Sequence, residues 1–259
     1  MDLDTIVVTA LVSVPVALAF QSICRYIYGR LNLRRFRAVF GDDVGKEFYV
    51  IYKSSRTDSD ARFPAVQSEV PQPTAGTTHL STINSCATTR ATGYLLYEFG
   101  RRTRDTPLLR SHSETSHRTD LSFITIGGGN HKTNDFLKDP SNVFLDHKYP
   151  AIVAKASRQV IAQAEGKYDY GFIAKIHPHN HLGRTWVCCY GIGEYGSSGA
   201  AYYLSHNWRI IQKTVGNKPF AYVTRTEFGK DDSTCVVGGP FYDSGSVDEF
   251  AKKRGKQGN

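Results

Sequence analysis

The chain has 259 residues, 40% of them hydrophobic, which fits one medium-sized domain with an appendage and is ample for a sizeable core. Its net charge of +8 favours anionic partners. Because much of that charge is clustered near the two ends of the chain, it favours a membrane surface and a solvated tail over a nucleic-acid face. The five cysteines include no C-x-x-C pair, so neither a zinc site nor a disulfide framework is predicted, and we expect no cofactor.

An almost wholly apolar run from Ile6 to Phe20 opens the chain. Extended through Cys24, it approaches the roughly 20 residues that cross a bilayer as a helix. The acidic start before this run and the arginines after it favour a single membrane span over the alternative, a secretory signal peptide. The positive-inside rule places the N-terminus outside and the body in the cytoplasm. The arginines suited to anionic lipid headgroups are Arg25, Arg30, Arg34, Arg35 and Arg37.

We expect three parts: a transmembrane anchor over residues 1–24, a basic juxtamembrane linker over 25–44, and a cytosolic domain over 45–259. The first half of the domain predicts, in order, a strand at 48–52, a long loop at 54–78, a helix at 81–102, a short strand at 107–110 and a strand at 121–126. Residues 142–164 are ambiguous between strands and a helix. The second half predicts strands at 168–176 and 186–190, a helix from about 197 to 215, strands at 220–224 and 234–237, and a frayed tail after residue 248.

This alternation predicts an α/β fold with a Rossmann-like, mostly parallel sheet and antiparallel additions, preceded by the transmembrane helix. Between the strands at 168–176 and 186–190 lie His177, His179 and His181, whose alternation suggests a metal site. No carboxylate or cysteine in the same loop completes such a site, and Pro178 and Gly183 favour a hairpin turn. We therefore expect no metal.

The most informative stretch runs from Thr185 to Leu204, where an apolar strand breaks into glycines and continues as a helix. Gly191, Gly193 and Gly196 fit G-x-G-x-x-G in the strand–turn–helix context that this motif requires. Glycines let a ligand phosphate approach the backbone, and the helix offers unpaired N–H groups and the positive end of its dipole. The alternative is a tight strand–helix turn without a ligand.

A second strand–glycine–helix unit begins at the predicted strand Leu121 to Ile126 and continues through Gly127, Gly128 and Gly129. The polar residues that follow, from Asn130 to Lys132, offer hydrogen-bond donors to a phosphate or a carbonyl. A turn with an Asx cap is the alternative. In open α/β sheets, ligands bind beyond the carboxyl ends of strands. If the two strands are neighbours, both glycine loops face one crevice.

The pair of loops resembles the SLOG superfamily of Rossmann-like domains, whose phosphoribohydrolase members cleave nucleotides. In that family a strand ends in GGG, and a later P-G-G-x-G-T-x-x-E loop opens a helix; residues 126–129 and 193–197 stand in these places. The departures are Ile192 for the proline, Glu194 for the second glycine, and Gly199 and Ala200 in the carboxylate region. The resemblance therefore implies nucleotide binding more than nucleotide hydrolysis. Membrane-tethered relatives are associated with nucleotide-triggered bacterial defence.

Three functions compete. The first is a membrane-anchored nucleotide-binding module in signalling or defence, in which a homo-oligomer or the membrane helix carries the response. Its ligand-binding residues would be Gly127, Gly128, Gly129, Asn130, Gly191, Gly193, Gly196, Ser197, Ser198 and Glu227, the last holding a ribose hydroxyl. The second is an enzyme that hydrolyses a nucleotide glycosidic bond, with Glu194 or Asp135 as the catalytic carboxylate and His131 assisting. The third is a structural protein without a ligand.

Overall fold

A computed structural model describes residues 3–53, 55–56, 82–83, 85–103, 107–111 and 113–257, of which the side chains of 3–18, 55–56, 82–83 and 255–257 are left undescribed. In chain order the elements are α1 (Leu3–Phe40), β1 (Phe48–Tyr52), β2 (Ser55–Arg56), β3 (Thr82–Ile83), α2 (Cys86–Arg102), β4 (Leu108–Ser111), β5 (Ser122–Ile126), α3 (His131–Lys138), β6 (Leu145–Lys148), β7 (Ala151–Ala154), β8 (Val160–Gln163), β9 (Tyr168–Ile176), β10 (Trp186–Gly191), α4 (Glu194–Val215), β11 (Phe220–Glu227), β12 (Lys230–Phe241) and α5 (Ser244–Gln257).

A seven-stranded sheet forms the centre of the fold, in the order β12-β11-β9-β10-β5-β1-β4. The strands β4, β1, β5 and β10 are mutually parallel, and β9, β11 and β12 continue the sheet through antiparallel pairs. Every residue of β5 and β10 is buried, as expected for strands covered on both faces. The predicted α/β class and the parallel sheet with antiparallel additions are therefore confirmed.

Two apolar cores cover the sheet. On one face α1, α2 and α4 pack together around Phe36, Phe99 and Trp208. The Phe36 ring meets the rings of Phe99 and Trp208 edge to face, at 4.9 and 5.1 Å respectively. The opposite core includes Phe136 of α3, Val247 of α5 and residues of a second, three-stranded antiparallel sheet, β6-β7-β8. This small sheet occupies the ambiguous region at 142–164, so its strand interpretation is correct and its helical one is wrong.

The end of the chain corrects another prediction. Residues 249–257 belong to α5, where Val247 and Ala251 are buried and the Phe250 ring lies 5.4 Å from Phe241. The tail was predicted to fray because most of its side chains are charged. Apolar residues at Val247 and three and four positions later, at Phe250 and Ala251, are nevertheless enough to dock one face of a helix.

The N-terminal helix α1 is continuous from Leu3 to Phe40 and spans both the predicted anchor and the predicted linker. Within the described residues, no helix is both long enough and apolar enough to cross a membrane. The predicted span, Ile6 to Phe20, falls mostly on residues whose side chains lie outside the description, and it stays a prediction. The predicted loop at 54–78 also lies outside the described residues, except for the two of β2.

Candidate functional site

The two glycine loops meet at one edge of the central sheet. Strands β5 and β10 are parallel neighbours with Ile126 paired to Cys189, so their carboxyl ends coincide. The Gly127 amide donates to the Cys189 carbonyl at 2.9 Å, and a Cβ at Gly127 would lie 3.7 Å from the Ser197 hydroxyl. The expectation that both loops open onto a shared crevice is confirmed.

A cleft of about 310 Å³ lies between these loops and the start of α2. It is lined by Lys53, Ser85, Thr88, Ile126, Gly127, Gly128, Tyr190, Gly191, Ile192, Gly193, Glu194 and Ser197. From β1 the chain crosses through α2 to β4 on one side, whereas from β5 it continues through the small sheet to β9 and β10 on the other. The cleft therefore lies at the point where the strand order reverses, the usual place for a ligand in an open α/β sheet.

The backbone conformation of the first loop, Gly127–Gly129, depends on its glycines and on the hydrogen bonds of Asn130. Gly127 and Gly129 both adopt φ of +73°, a conformation that favours glycine. Asn130 is fully buried and caps α3: its side-chain oxygen accepts from the Thr133 amide at 2.7 Å, and its amide nitrogen donates to the Ile126 carbonyl at 3.2 Å. The Asx-cap interpretation of this turn is therefore confirmed, and the side chain of Asn130 is used by the fold.

Lys53, directly after β1, was missed in the sequence. Its side chain crosses the first loop, so that a Cβ at Gly129 would lie 3.1 Å from its Nζ. Lys53 is exposed and has no ion-pair partner in the described part of the chain. The sequence contained a signal for this residue: Lys53 directly follows a buried strand. Because β1 pairs with β5, a lysine at that position lies at the same sheet edge as the glycines.

The second loop differs from the prediction in one respect. Helix α4 begins after its N-cap Gly193, but the buried carboxylate of Asp169 on β9 already accepts from the amides of Gly193 at 3.0 Å and Gly196 at 2.7 Å. Two of the four amides at this helix end are therefore occupied by the protein. The other two, the amides of Glu194 and Tyr195, are not bonded by Asp169.

The glycines of the second loop are required by backbone packing. A Cβ at Gly191 would lie 2.2 Å from the Ser197 nitrogen, and a Cβ at Gly196 would lie 2.3 Å from the Tyr170 carbonyl oxygen. No side chain fits at either position without moving the backbone. These two members of the G-x-G-x-x-G pattern are thus explained by the close approach of α4 to β9 and β10, with or without a ligand.

A second helix end completes the cleft wall. Ser85 is the N-cap of α2: its hydroxyl accepts from the Thr88 amide at 3.1 Å and lies 2.9 Å from the Thr88 hydroxyl. Both side chains line the cleft. The sequence pattern places the start of this helix at Ser81, five residues before Cys86, and so does not assign Ser85 to the site.

Tyr190 lines the cleft. Its ring is stacked on Phe172 at 5.2 Å and meets His147 at 4.9 Å, and a Cβ at Gly128 would lie 2.9 Å from the Tyr190 ring. Burial raises the pKa of Tyr190, so its hydroxyl keeps its proton at neutral pH and can donate. Burial also lowers the pKa of His147, whose Nε2 has no hydrogen-bond partner among the described residues.

The remaining predicted residues divide between the cleft and its surroundings. Glu194 is exposed and lines the cleft with Gly127, Gly128, Gly191, Gly193 and Ser197. The other predicted residues are not among the described cleft-lining residues: Gly129, Asn130, His131, Asp135, Gly196, Ser198 and Glu227. Of these, Asp135 pairs with the buried Lys132 at 2.9 Å, Ser198 donates to Asp231 at 2.6 Å, and Glu227 pairs with Lys230 at 2.9 Å.

The histidine segment forms the turn of the β9–β10 hairpin, as expected. Across the described residues, no group of three or more His, Cys, Asp or Glu side chains is arranged to hold a metal ion. No protein-family model matches the chain, and no curated protein matches it either.

Proposed function

We propose that the domain binds a nucleotide or a nucleotide-derived signal in this cleft, and that the chain is a membrane-anchored sensor. The observation that carries the proposal is the position of Lys53 across the open first loop, at the reversal point of the sheet. An ammonium group that has no ion-pair partner among the described residues and lies beside glycine backbone is suited to a phosphate group.

The surroundings of Lys53 favour the same ligand chemistry. The helices α2 and α4 both begin at the cleft, and the N-terminal end of a helix carries a partial positive charge. The hydroxyls of Thr88 and Tyr190 supply neutral donors around the phosphate, and Ser197 supplies one by giving up its bond to the Gly193 carbonyl. A volume of about 310 Å³ is at the lower end of the range found for small-molecule sites.

The order of the parallel strands supports a Rossmann-like assignment. Counting only parallel strands along the chain, β4-β1-β5-β10 is the order 2-1-3-4, as at the start of a doubly wound sheet. The SLOG resemblance supports the same ligand class, and we keep a role in bacterial signalling or defence within this proposal. A response through a homo-oligomer or the N-terminal helix requires the ligand to bind two states with different affinities.

The direct test is calorimetry of the full chain in neutral detergent against a panel of nucleotides. We expect saturable binding of at least one nucleotide, weakened about tenfold or more by Lys53→Met, because a charge-assisted hydrogen bond contributes about 1.5–3 kcal/mol. The matched control is Lys213→Met, which removes an exposed lysine from α4. No binding across the panel, or equal binding by the Lys53 variant, would reject the proposal.

One observation favours a second candidate, the glycosidic-bond hydrolase: Glu194 belongs to the cleft lining. A carboxylate beside the sugar can stabilise the cationic transition state or activate water. Incubation with NAD and common nucleotides, followed by chromatography, would detect release of the free base. Base release that Glu194→Gln abolishes, with nucleotide binding retained, would support the enzyme; release equal in the variant would remove Glu194 from the catalytic role.

A further inference from the structure

Helix α1 changes its surroundings along its length. At its C-terminal end Asn32, Phe36, Val39 and Phe40 are buried against the domain. Every residue from 19 to 31 is exposed. The large apolar and aromatic side chains in that part, each between 49% and 68% exposed, are Phe20, Ile23, Tyr26, Ile27, Tyr28 and Leu31. The part of α1 that does not pack on the domain therefore exposes apolar side chains, and it continues the apolar N-terminal sequence.

A basic groove, which we call the arginine groove, lies where α1 leaves the domain. It has a volume of about 580 Å³ and runs between α1 and the C-terminal end of α2. Arg25, Arg30 and Arg37 line it from α1, and Arg102 lines it from α2. Arg102 is far from the basic linker in sequence, so this fourth arginine joins the cluster only through the packing of α2 against α1.

The charges of the arginine groove are only partly compensated. Arg102 donates to Glu98 at 2.7 Å, and Arg37 donates through Nε to the Val44 carbonyl at 3.1 Å. Neither Arg25 nor Arg30 has an ion-pair partner within the described part of the chain. Four guanidinium groups thus share one described carboxylate partner, which leaves the groove suited to a phosphate dianion or monoanion.

We propose that the arginine groove binds the phosphate-bearing headgroup of an anionic membrane lipid. This inference rests on the membrane anchoring in the proposed function. Guanidinium groups bind phosphate oxygens in a bidentate geometry. A lipid is favoured over free phosphate because Tyr26 and Leu33 also line the groove and the exposed apolar row of α1 adjoins it. A bound lipid would hold α2 as well as α1 at the bilayer surface and so set the orientation of the domain.

The experiment uses the full chain in neutral detergent, titrated with dioctanoyl phosphatidic acid, dioctanoyl phosphatidylcholine and inorganic phosphate. Tryptophan fluorescence provides the readout, because the Arg102 guanidinium lies 5.6 Å from the Trp208 ring. We expect a saturable change with phosphatidic acid and at least a tenfold weaker response to the other two compounds. An equal response to phosphatidylcholine or to inorganic phosphate would overturn the lipid assignment.

The variants separate the groove from its neighbours. Arg30→Gln removes an exposed charge that does not contact Glu98, and we expect it to weaken phosphatidic acid binding about tenfold. The control Arg110→Gln removes an exposed arginine from β4 and should leave binding unchanged. Equal binding by Arg30→Gln would overturn the proposal. If Arg110→Gln is as weak as Arg30→Gln, the effect is one of net charge, and the groove assignment is also overturned.

Two further measurements distinguish a failure here from a failure of the proposed function. Flotation of the full chain with phosphatidylcholine vesicles tests the anchor alone, and Arg30→Gln should float equally well. The Lys53→Met variant tests the nucleotide cleft and should bind phosphatidic acid normally. If the chain floats with the vesicles but shows no headgroup selectivity, the anchor is supported and the lipid assignment of the arginine groove is rejected.

Discussion

The two glycine loops use their glycines for different purposes. In the second loop, Gly191 and Gly196 face backbone atoms, and a buried carboxylate already occupies part of the helix end. In the first loop, Gly127 and Gly129 adopt positive φ, and their nearest neighbours are the ends of side chains, Ser197 and Lys53. The G-x-G-x-x-G pattern of the second loop thus mainly allows close packing of the backbone. The three glycines of the first loop instead leave open backbone beside Lys53.

This difference shows that a G-x-G-x-x-G pattern can be satisfied by the contact between a helix and a sheet. The second loop should therefore respond to substitution mainly through stability, and the first mainly through nucleotide affinity. The following variants test that division, beginning with the largest expected effect.

Gly196→Ala should lower the free energy of unfolding by about 3 kcal/mol, because its Cβ would meet the Tyr170 carbonyl oxygen at 2.3 Å. Urea unfolding measures the change. Gly93→Ala is the control: Gly93 is exposed in α2 with no atom within 4 Å of an added Cβ, and alanine there should stabilise by up to about 1 kcal/mol. A tolerated Gly196→Ala would mean that the second loop is as open as the first.

Asp169→Asn should cost about 2 kcal/mol of stability, because the amide keeps one acceptor oxygen for the three backbone amides of Tyr170, Gly193 and Gly196. Nucleotide affinity should stay equal or increase, since a negative charge near the bound phosphate is removed. Chemical unfolding and calorimetry together measure both effects, with the exposed Asp232→Asn as control. Weaker binding at unchanged stability would show that Asp169 contacts the ligand.

Gly129→Ala should cost about 1 kcal/mol of stability, because alanine is strained at φ of +73°. It should also weaken nucleotide binding several-fold by displacing the Lys53 side chain. Gly229→Ala is matched to it, since Gly229 has φ of +78° and no atom within 4 Å of an added Cβ. The control should show the stability loss alone. If both variants bind the nucleotide with equal affinity, Lys53 does not contact the ligand.

Ser197→Ala should have the smallest effect. Its hydroxyl donates to the Gly193 carbonyl at 3.2 Å, so the stability loss should stay below about 1 kcal/mol. Because Ser197 lines the cleft, we also expect nucleotide binding to weaken two- to fivefold. This loss of binding free energy is smaller than that expected for a charge-assisted hydrogen bond. In Ser205→Ala, the same helix loses a hydroxyl bonded to Tyr202, away from the cleft. Only the Ser197 variant should change affinity.

Strands with a strong local signal were predicted closely: β1 and β9 begin and end where their β-branched and aromatic residues do. The start of α2 was misplaced because a single serine, Ser85, decides it. The docking of α5 was missed because its few apolar residues gain stability only from the core that receives them. Local propensity therefore located most elements, whereas a capping side chain decided where α2 begins and the receiving core decided that α5 docks.

Glycine spacing and strand propensity are local properties, so the amino-acid sequence alone predicts two strands that end in glycine at a helix start. What each loop offers to a ligand depends on contacts between distant parts of the chain. Antiparallel β9 brings Asp169 to the amides of the second loop, and parallel β1 brings Lys53 to the first. A backbone amide is available only if no other group has bonded it, and the groups that compete for it come from distant parts of the chain.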